Sequence, residues 1–384
     1  MTVTTGIERI RIRNYRVLRD VELDGLTPIT ALLGPNGSGK STLLDALLFV
    51  SEAVQRGLGF ALARRGGLPE IRTIGSTERV EIEVGYQTEE GAFEYRLAFD
   101  GTGAPEEILR WRPAGAPGWR ALLEFHGGQG VVYSESGDQR LREDLADGEA
   151  LALDTFGRLN RYNRVAEFRK LVLDWHSVHI DVEQMRKGAK KGGKATRLSS
   201  SGDNIAIVVE QLQERRPEVW AGILRSLRRY VPRLEDFSSM QLGDGSFIVR
   251  LKERGADELI SPDHISDGTL TLLAYLVAMR DPASVLLLEE PENQVHPRLH
   301  YPLADEARMS ESGQVIVATH SPRFVDATRP NEVWMFARGV AGNTEVMHAS
   351  VQPQLVRMVE SGGALGDLWT EGYFRFGDPL AEQA

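Results

Sequence analysis

The stretch Gly34-Pro35-Asn36-Gly37-Ser38-Gly39-Lys40-Ser41 decides the fold, because it satisfies the pattern G-x-x-x-x-G-K-[ST] in a suitable setting. The apolar run Ile29–Leu33 before it predicts a buried strand, and the pattern from about Ser41 to Arg56 predicts an amphipathic helix. Glycines let consecutive backbone N–H groups turn inward, and the helix adds the positive end of its dipole. The alternative is a glycine-rich turn that matches by chance, but the flanking strand and helix favour a phosphate cradle.

Two side chains of this turn have predicted roles. Lys40 is expected to reach the β- and γ-phosphates of ATP, and the Ser41 hydroxyl to hold Mg²⁺. The predicted nucleotide contacts in the turn are Asn36, Gly37, Ser38, Gly39, Lys40, Ser41 and Thr42. Such a turn indicates a nucleotide without showing what the nucleotide is used for.

A pair of carboxylates ends a second apolar run, Val285–Glu289, which also predicts a buried strand. Residues at the carboxyl end of a parallel strand project toward the ligand crevice. Glu289 is expected to hold the magnesium through water, and Glu290 to orient or deprotonate the attacking water. The alternative is a strand whose acidic end is only solvated.

A third apolar run, Val315–Thr319, ends in His320. This histidine is expected to hydrogen-bond the γ-phosphate and to help position the water. A single histidine at a strand end is more often structural, so the functional interpretation depends on its order behind the other two motifs.

The remaining patterns place strands and helices around these motifs. Strands separated by helices indicate a mainly parallel sheet and an α/β fold. The segment Gly101–Gly130 is rich in glycine and proline and has little pattern. The other predicted strands are Ile7–Ile12, Val17–Leu23, a hairpin over Val80–Phe99 with its break at Glu89–Gly91, and Phe247–Leu251; the other predicted helices are Asn163–Asp174, Asn204–Glu214, Val219–Tyr230, Thr269–Arg280 and Pro297–Met309.

Composition excludes several classes of protein. Apolar residues make up 41% and charged residues 26% of the 384 residues, as in soluble globular proteins. The absence of cysteine excludes disulfides, thiolate zinc sites and cysteine nucleophiles. Residues 1–5 show no secretory signal, and no apolar stretch reaches the roughly 20 residues of a membrane helix. We therefore expect a cytoplasmic protein without a membrane partner.

The net charge of −10 means that nucleic acid would need a local basic patch. The segment Arg186–Lys194 is a candidate for such a patch, because it is basic and contains several glycines. One interpretation is a solvated flexible loop, and the other is a contact with a phosphate backbone.

Together and in this order, the motifs resemble the ABC-type ATPases of the SMC, RecF and OLD kind, in particular their small relatives described as AAA family ATPases. The similar segments are Ile12–Arg16, Gly34–Thr42, Ser201–Ile205, Ile265–Thr269, Leu286–Asn293, Val295–Pro297 and Ala318–Pro322. The resemblance implies an ATPase head with a mainly parallel core sheet flanked by helices, an antiparallel β subdomain and a helical lobe. It would be one bilobed unit over 1–384, with lobe I at about 1–150, a helical insertion at about 151–245 and lobe II at about 246–384.

The resemblance also implies a head-to-tail dimer. Each ATP would be bound by the P-loop of one subunit and by Ser266, Asp267 and Gly268, the signature motif, of the other. Ser266 lies just before a helix predicted to begin near Gly268, so its hydroxyl and the free N–H groups can meet a γ-phosphate. Arg16 matches the arginine that contacts phosphates in the SMC group, and its alternative is a surface charge on an edge strand.

The sequence departs from the family pattern at several points. Glu289 stands where aspartate is usual, which predicts slow hydrolysis, and the signature lacks the paired glycines of transporters. Gln87 is a candidate for the glutamine loop. The OLD proteins continue into a nuclease domain, but only about 60 residues follow His320 here, fewer than a further domain ordinarily needs.

The functional prediction is an ATP-hydrolysing dimeric switch in DNA maintenance or phage defence. It would clamp DNA or control a separately encoded effector, such as a nuclease. The alternatives are a regulatory scaffold that binds ATP but turns over slowly, and the ATPase subunit of a transporter. The second alternative predicts a membrane partner and paired glycines, neither of which the sequence shows.

Overall fold

The computed structural model describes residues 5–101, 105–134, 140–147, 150–191 and 197–376. The chain folds as two compact units, one formed by 1–175 with 329–384 and the other by 176–328. The strands are β1 (Gly6–Tyr15), β2 (Leu18–Asp24), β3 (Ile29–Leu33), β4 (Val80–Thr88), β5 (Gly91–Phe99), β6 (Glu106–Pro113), β7 (Arg120–His126), β8 (Gln129–Tyr133), β9 (Arg140–Asp144), β10 (Trp175–Val178), β11 (Ala189–Lys190), β12 (Leu234–Gln241), β13 (Ser246–Glu253), β14 (Val285–Glu289), β15 (Val315–Thr319), β16 (Val333–Arg338) and β17 (Thr344–His348).

The α-helices alternate with these strands through much of the chain, as the α/β prediction requires. They are α1 (Lys40–Arg56), α2 (Leu58–Ala63), α3 (Leu68–Ile71), α4 (Ala152–Gly157), α5 (Asn163–Leu173), α6 (Val182–Lys187), α7 (Ile205–Arg215), α8 (Pro217–Tyr230), α9 (Asp267–Met279), α10 (His300–Arg308), α11 (Pro322–Val325), α12 (Pro353–Glu360) and α13 (Leu365–Thr370). No helix among the described residues is both long enough and apolar enough to cross a bilayer.

The first unit is built on an antiparallel sheet with strand order β2-β1-β4-β5-β6-β7-β8-β9. The predicted strands at its start and the predicted hairpin are confirmed as β1, β2 and the β4–β5 pair. The prediction that the segment Gly101–Gly130 has little pattern was wrong, because it contains β6, β7 and the start of β8. In β7 the alternation is interrupted, because a register shift leaves Leu122 without a partner in β6 and both Leu122 and Leu123 are buried. In β6 Leu109 and Trp111 do alternate with less buried residues, but the strand carries several charged residues.

Aromatic side chains fix α1 in the first unit. Phe49 of α1 stacks on Phe99 at 5.1 Å between ring centroids, and Tyr15 meets it edge-on at 6.0 Å. The same unit contains β3, which runs parallel to β16, and β17, which is antiparallel to β16. The turn between β3 and α1 is therefore held at both ends by buried elements.

A buried carboxylate, Glu107 of β6, caps the short helix α4. It accepts hydrogen bonds from the Tyr95 hydroxyl at 2.8 Å and the Leu153 amide at 3.2 Å, and it also contacts the Ala152 amide. Burial raises the pKa of Glu107 from 4.5 to about 7. The folded chain therefore holds this proton more tightly than the unfolded chain does.

We predict that Glu107→Gln removes part of the pH dependence of stability. A carboxyl with a raised pKa stabilises the fold fully below pH 4.5, and this contribution is lost as pH rises through about 7. Relative to the variant, the wild type should lose up to about 3 kcal/mol of unfolding free energy between these pH values. Urea unfolding at pH 4.5 and pH 8 measures this difference, and parallel pH profiles for the two proteins would contradict it.

The second unit contains a small antiparallel sheet of order β11-β13-β12, against which α7 packs. The predicted helices are confirmed as α7, α8 and α9, with Pro217 at the first position of α8. Strands β14 and β15 have the predicted bounds and pair in parallel, with Leu286 opposite Val315. The predicted helix Pro297–Met309 begins differently, because Pro297–Leu299 is a 3-10 turn and α10 starts at His300.

Candidate functional site

The turn between β3 and α1 requires glycine at two positions. A Cβ on Gly34 would lie 2.3 Å from the carbonyl oxygen of Phe336, and one on Gly39 would lie 2.2 Å from Oγ1 of Thr344. Gly39 also has φ +106°, which favours glycine. Thr344 Oγ1 donates to the Ser38 carbonyl at 2.8 Å, so β17 holds the turn from a distant part of the sequence.

The same turn presents donors toward solvent. Asn36, Gly37 and Ser41 are exposed, Thr42 is half-buried, and α1 begins at Lys40 without a side chain that caps its first N–H groups. Lys40 is buried, and its Nζ donates to the carbonyls of Gly34 at 2.7 Å and Pro35 at 3.0 Å. A helix N-terminus with an ammonium group inside the adjoining turn suits an anion.

Arg16 is engaged with the helix that begins at this turn. Its Nη1 lies 2.9 Å from Oδ2 of Asp45 on α1, and the same carboxylate accepts from the Tyr15 hydroxyl at 2.7 Å and from Arg65 Nε at 2.8 Å. Burial raises the pKa of Tyr15, so the hydroxyl remains a donor. Asp45 and Arg65 were not predicted from the sequence, and the phosphate contact of Arg16 stays a prediction.

The acid pair lies at the end of β14. Glu290 has φ +45°, a left-handed conformation that is rare for residues other than glycine and is often found at functional sites. Its amide donates to the Ala318 carbonyl at 2.8 Å, and its Oε2 accepts from Asn293 Nδ2 at 2.5 Å. Oε1 lies 3.3 Å from Nδ1 of His320, within ion-pair distance but without hydrogen-bond geometry. The structure therefore brings Glu290 and His320 together.

A further carboxylate, that of Glu292, holds the backbone of His320. It is only 4% exposed, and its Oε1 accepts from Thr319 Oγ1 at 2.6 Å and from the His320 amide at 3.0 Å. The next residue along the chain, Ser321, has its Oγ 2.7 Å from Nδ1 of His300. Glu292 falls within a motif of the sequence but had no predicted role, because its partner Thr319 follows 27 residues later.

The signature segment forms the start of α9, one residue before the predicted position. Ser266 is the N-cap, and its hydroxyl accepts from the Thr269 amide at 3.3 Å. Gly268 allows close packing, since a Cβ there would lie 2.6 Å from the Gln294 carbonyl oxygen. The Asp267 carboxylate contacts the guanidinium of Arg186, a residue that the sequence assigned to the basic segment.

Glu289 has a neighbour that the sequence did not identify. Its Oε2 lies 3.5 Å from Nδ1 of His179, which directly follows β10, and its backbone carbonyl accepts from the Tyr275 hydroxyl at 2.7 Å. The glutamine-loop candidate Gln87 instead closes the β4–β5 hairpin, donating through Nε2 to the carbonyls of Thr88 at 2.8 Å and Gly91 at 3.0 Å. The sequence signal that could have identified His179 is its position directly after the short run Trp175–Val178.

The basic segment is more ordered than a flexible loop, which corrects that interpretation for residues 186–191. Its start is the end of α6, and Ala189–Lys190 forms β11 against β13. Lys187, Lys190 and Lys191 are all exposed, and Lys191 Nζ lies 2.6 Å from Oε2 of Glu210. Lys194 lies outside the described residues.

The predicted site residues are divided between the two units. Arg16 and the P-loop residues belong to the first, and the acid pair, His320 and the signature belong to the second. Their convergence on one nucleotide stays a prediction. Among the described residues no three His, Asp or Glu side chains form a ready metal site. The Mg²⁺ contacts of Ser41 and Glu289 stay predictions.

Comparisons with known proteins agree with the motifs. The family described as "AAA domain, putative AbiEii toxin, Type IV TA system" matches residues 29–326. The chain is 25% identical over 352 residues to an OLD nuclease of Thermus scotoductus, an alignment that covers 84% of the chain and 60% of the nuclease. A stretch of 44 residues is 46% identical to the chromosome partition protein Smc of Methanocaldococcus jannaschii, covering 12% of this chain and 4% of Smc. The chain thus spans less than two thirds of either relative.

A solved structure shares the fold. It is an Smc head bound to the C-winged helix domain of ScpA, and it aligns with 89% of this chain and 97% of its own. The TM-score is 0.54 at 14% sequence identity. The predicted architecture of an SMC-like head, α/β with several sheets and flanking helices, is therefore confirmed.

Proposed function

Since the chain belongs to the AAA-domain family described as putative AbiEii toxin, Type IV TA system, we propose that it binds ATP with Mg²⁺ and hydrolyses it in a head-to-tail dimer. In family and fold the chain is an SMC/OLD-like P-loop ATPase. The observation that carries the hydrolysis proposal is the placement of Glu290 3.3 Å from His320 at the ends of parallel strands, in a chain with a complete P-loop.

The proposed reaction is attack by water on the γ-phosphorus. Glu290 accepts a proton from the water while the water oxygen bonds to the γ-phosphorus. The bond between the γ-phosphorus and the bridging oxygen breaks, and that oxygen leaves with ADP. His320, held by Glu292 through its backbone amide, would position the water or a γ-phosphate oxygen. Lys40 would stabilise the charge on the β- and γ-phosphates. Mg²⁺, when bound, supplies further neutralisation of the phosphates.

Turnover by the purified chain tests this proposal. We expect phosphate release from ATP that requires Mg²⁺ and stops when EDTA removes it. Because Glu289 places its carboxylate one methylene farther from the backbone than aspartate would, the rate should lie at or below the low end of typical enzyme turnover, about 1 per second. Tight ATP binding with no phosphate release beyond that of a Lys40→Met variant would instead favour the regulatory scaffold.

The biological role that we propose is control of DNA or of an effector. The OLD relative is a nuclease, so a nuclease is the effector class that fits best. The Smc head is bound by a domain of another protein, which supports a switch that acts through a partner. DNA is the second candidate partner, because Lys187 and Lys190 are exposed on the basic segment.

Salt-dependent DNA binding tests the DNA role. Changing both Lys187 and Lys190 to glutamine should weaken binding for every sequence and lower the slope of log K against log salt by about 1 for each phosphate that is no longer neutralised. Lys252→Gln is the matched control, because that lysine is already paired with Glu235 at 2.8 Å. Equal binding by the double variant and the wild type would remove the basic segment from the DNA proposal.

A further inference from the structure

In the proposed dimer the signature motif receives the negatively charged γ-phosphate, yet the motif itself carries a negative charge. Asp267 is the first residue of α9, directly after the N-cap Ser266, and its side chain is half exposed. Without a ligand, an aspartate in the first turn of a helix is favourable. A triphosphate brought to Ser266 by the partner subunit would meet the like charge of this carboxylate at short range.

Arg186 compensates this charge. Its guanidinium contacts the Asp267 carboxylate and the Pro262 carbonyl, and Nη2 donates to the Ile265 carbonyl at 3.0 Å. The side chain is 13% exposed, so these contacts are shielded from solvent. One planar cation thus links the Asp267 carboxylate to two backbone carbonyls of the segment 262–267, a geometry that a lysine ammonium cannot reproduce.

The helix that carries Arg186 is itself fixed. Asp181 caps α6 by accepting from the Gln184 amide at 3.1 Å, and Val182 and Met185 are buried. α6 packs against α9 and against the 3-10 turn Pro262–His264. The guanidinium therefore needs little reorganisation when the signature segment receives a ligand.

We propose that Arg186 is a positioning residue for the signature motif: it holds segment 262–267 in place and neutralises Asp267, so that the γ-phosphate of ATP on the partner subunit can approach Ser266. This inference rests on the proposed function, because it concerns the dimer formed with ATP. It assigns Arg186 to the nucleotide site rather than to a nucleic-acid contact.

A charge-suppression experiment tests the proposal in the Glu290→Gln background, which is expected to retain ATP. Arg186→Gln should weaken ATP-driven association at least about tenfold, because Asp267 is left uncompensated. Adding Asp267→Asn should restore most of that loss, and Arg186→Lys should restore part of it. Arg216→Gln is the matched control, since that arginine pairs with Glu311 at 2.9 Å in the same unit.

The rescue separates charge compensation from a general structural role. If Asp267→Asn fails to restore association, or if Arg186→Gln associates like its parent, the proposal is overturned. ATP binding by the isolated protomers should be the same in Arg186→Gln and in its parent, because Arg186 contacts the signature segment, which the proposed dimer places against the ATP of the partner subunit.

Hydrogen exchange without nucleotide tests the positioning directly and does not depend on dimer formation. Arg186→Gln should speed amide exchange in residues 263–270 while leaving α7 and α8 protected. Unchanged exchange would overturn the positioning role. If the Glu290→Gln protein fails to associate with ATP while this exchange rises as expected, the proposed dimer is wrong and the role of Arg186 in holding the segment stands.

Discussion

Lys40→Met should weaken ATP binding by about ten- to hundredfold and reduce turnover by about 10²- to 10³-fold. The ammonium group is the cation buried in the turn, where it donates to the carbonyls of Gly34 and Pro35. Methionine retains the buried stem and removes the charge, so the turn itself should persist. Binding of a fluorescent ATP analogue and phosphate release measure the two effects.

The control for this variant is Lys170→Met, which removes an exposed lysine from α5 in the same unit. It should bind and hydrolyse ATP as the wild type does. Thermal unfolding of both variants shows whether the fold is intact. Wild-type affinity in a folded Lys40→Met protein would show that the Gly34–Ser41 turn is not the nucleotide site.

Glu290→Gln should lower turnover by about 10²- to 10⁴-fold while ATP binding is retained. Glutamine keeps the size of the side chain and can still accept from Asn293, but it cannot take the proton of the attacking water. Single-turnover phosphate release measures the chemical step. Glu311→Gln is the control, since Glu311 is also an acid of the second unit and pairs with Arg216.

The outcome of the Glu290 experiment distinguishes two roles for the acid pair. Loss of ATP binding together with turnover would assign Glu290 to the metal or the phosphates rather than to the water. Turnover equal to that of the wild type would show that the base is another group, and His179 beside Glu289 would then be the next residue to test.

The elements around the motifs could be predicted closely because their signals are local. β3, β14 and β15 have the predicted bounds, since each is a continuous buried apolar run closed by polar or glycine residues. The P-loop likewise depends on neighbouring glycines. By contrast, β6 and β7 were missed, because β6 is rich in charged residues and a register shift interrupts the alternation of β7.

The supports of the candidate site could not be predicted, because their partners are distant in sequence. Thr344 holds the turn at Ser38 across 306 residues, and Arg186 reaches Asp267 across 81. Arg186 shows the physical difficulty clearly. In a run of lysines and glycines it has the pattern of a solvated or nucleic-acid-binding residue, and only the packing of α6 against α9 turns it toward the signature.

If ATP joins two copies of the chain, light scattering of Glu290→Gln should detect the dimer. With ATP and Mg²⁺ the variant should shift from its nucleotide-free mass to that of a dimer, and the shift should be absent with ADP or after the further change Lys40→Met. A mass that is the same with and without ATP and Mg²⁺, in a variant shown to bind ATP, would contradict ATP-driven dimer formation.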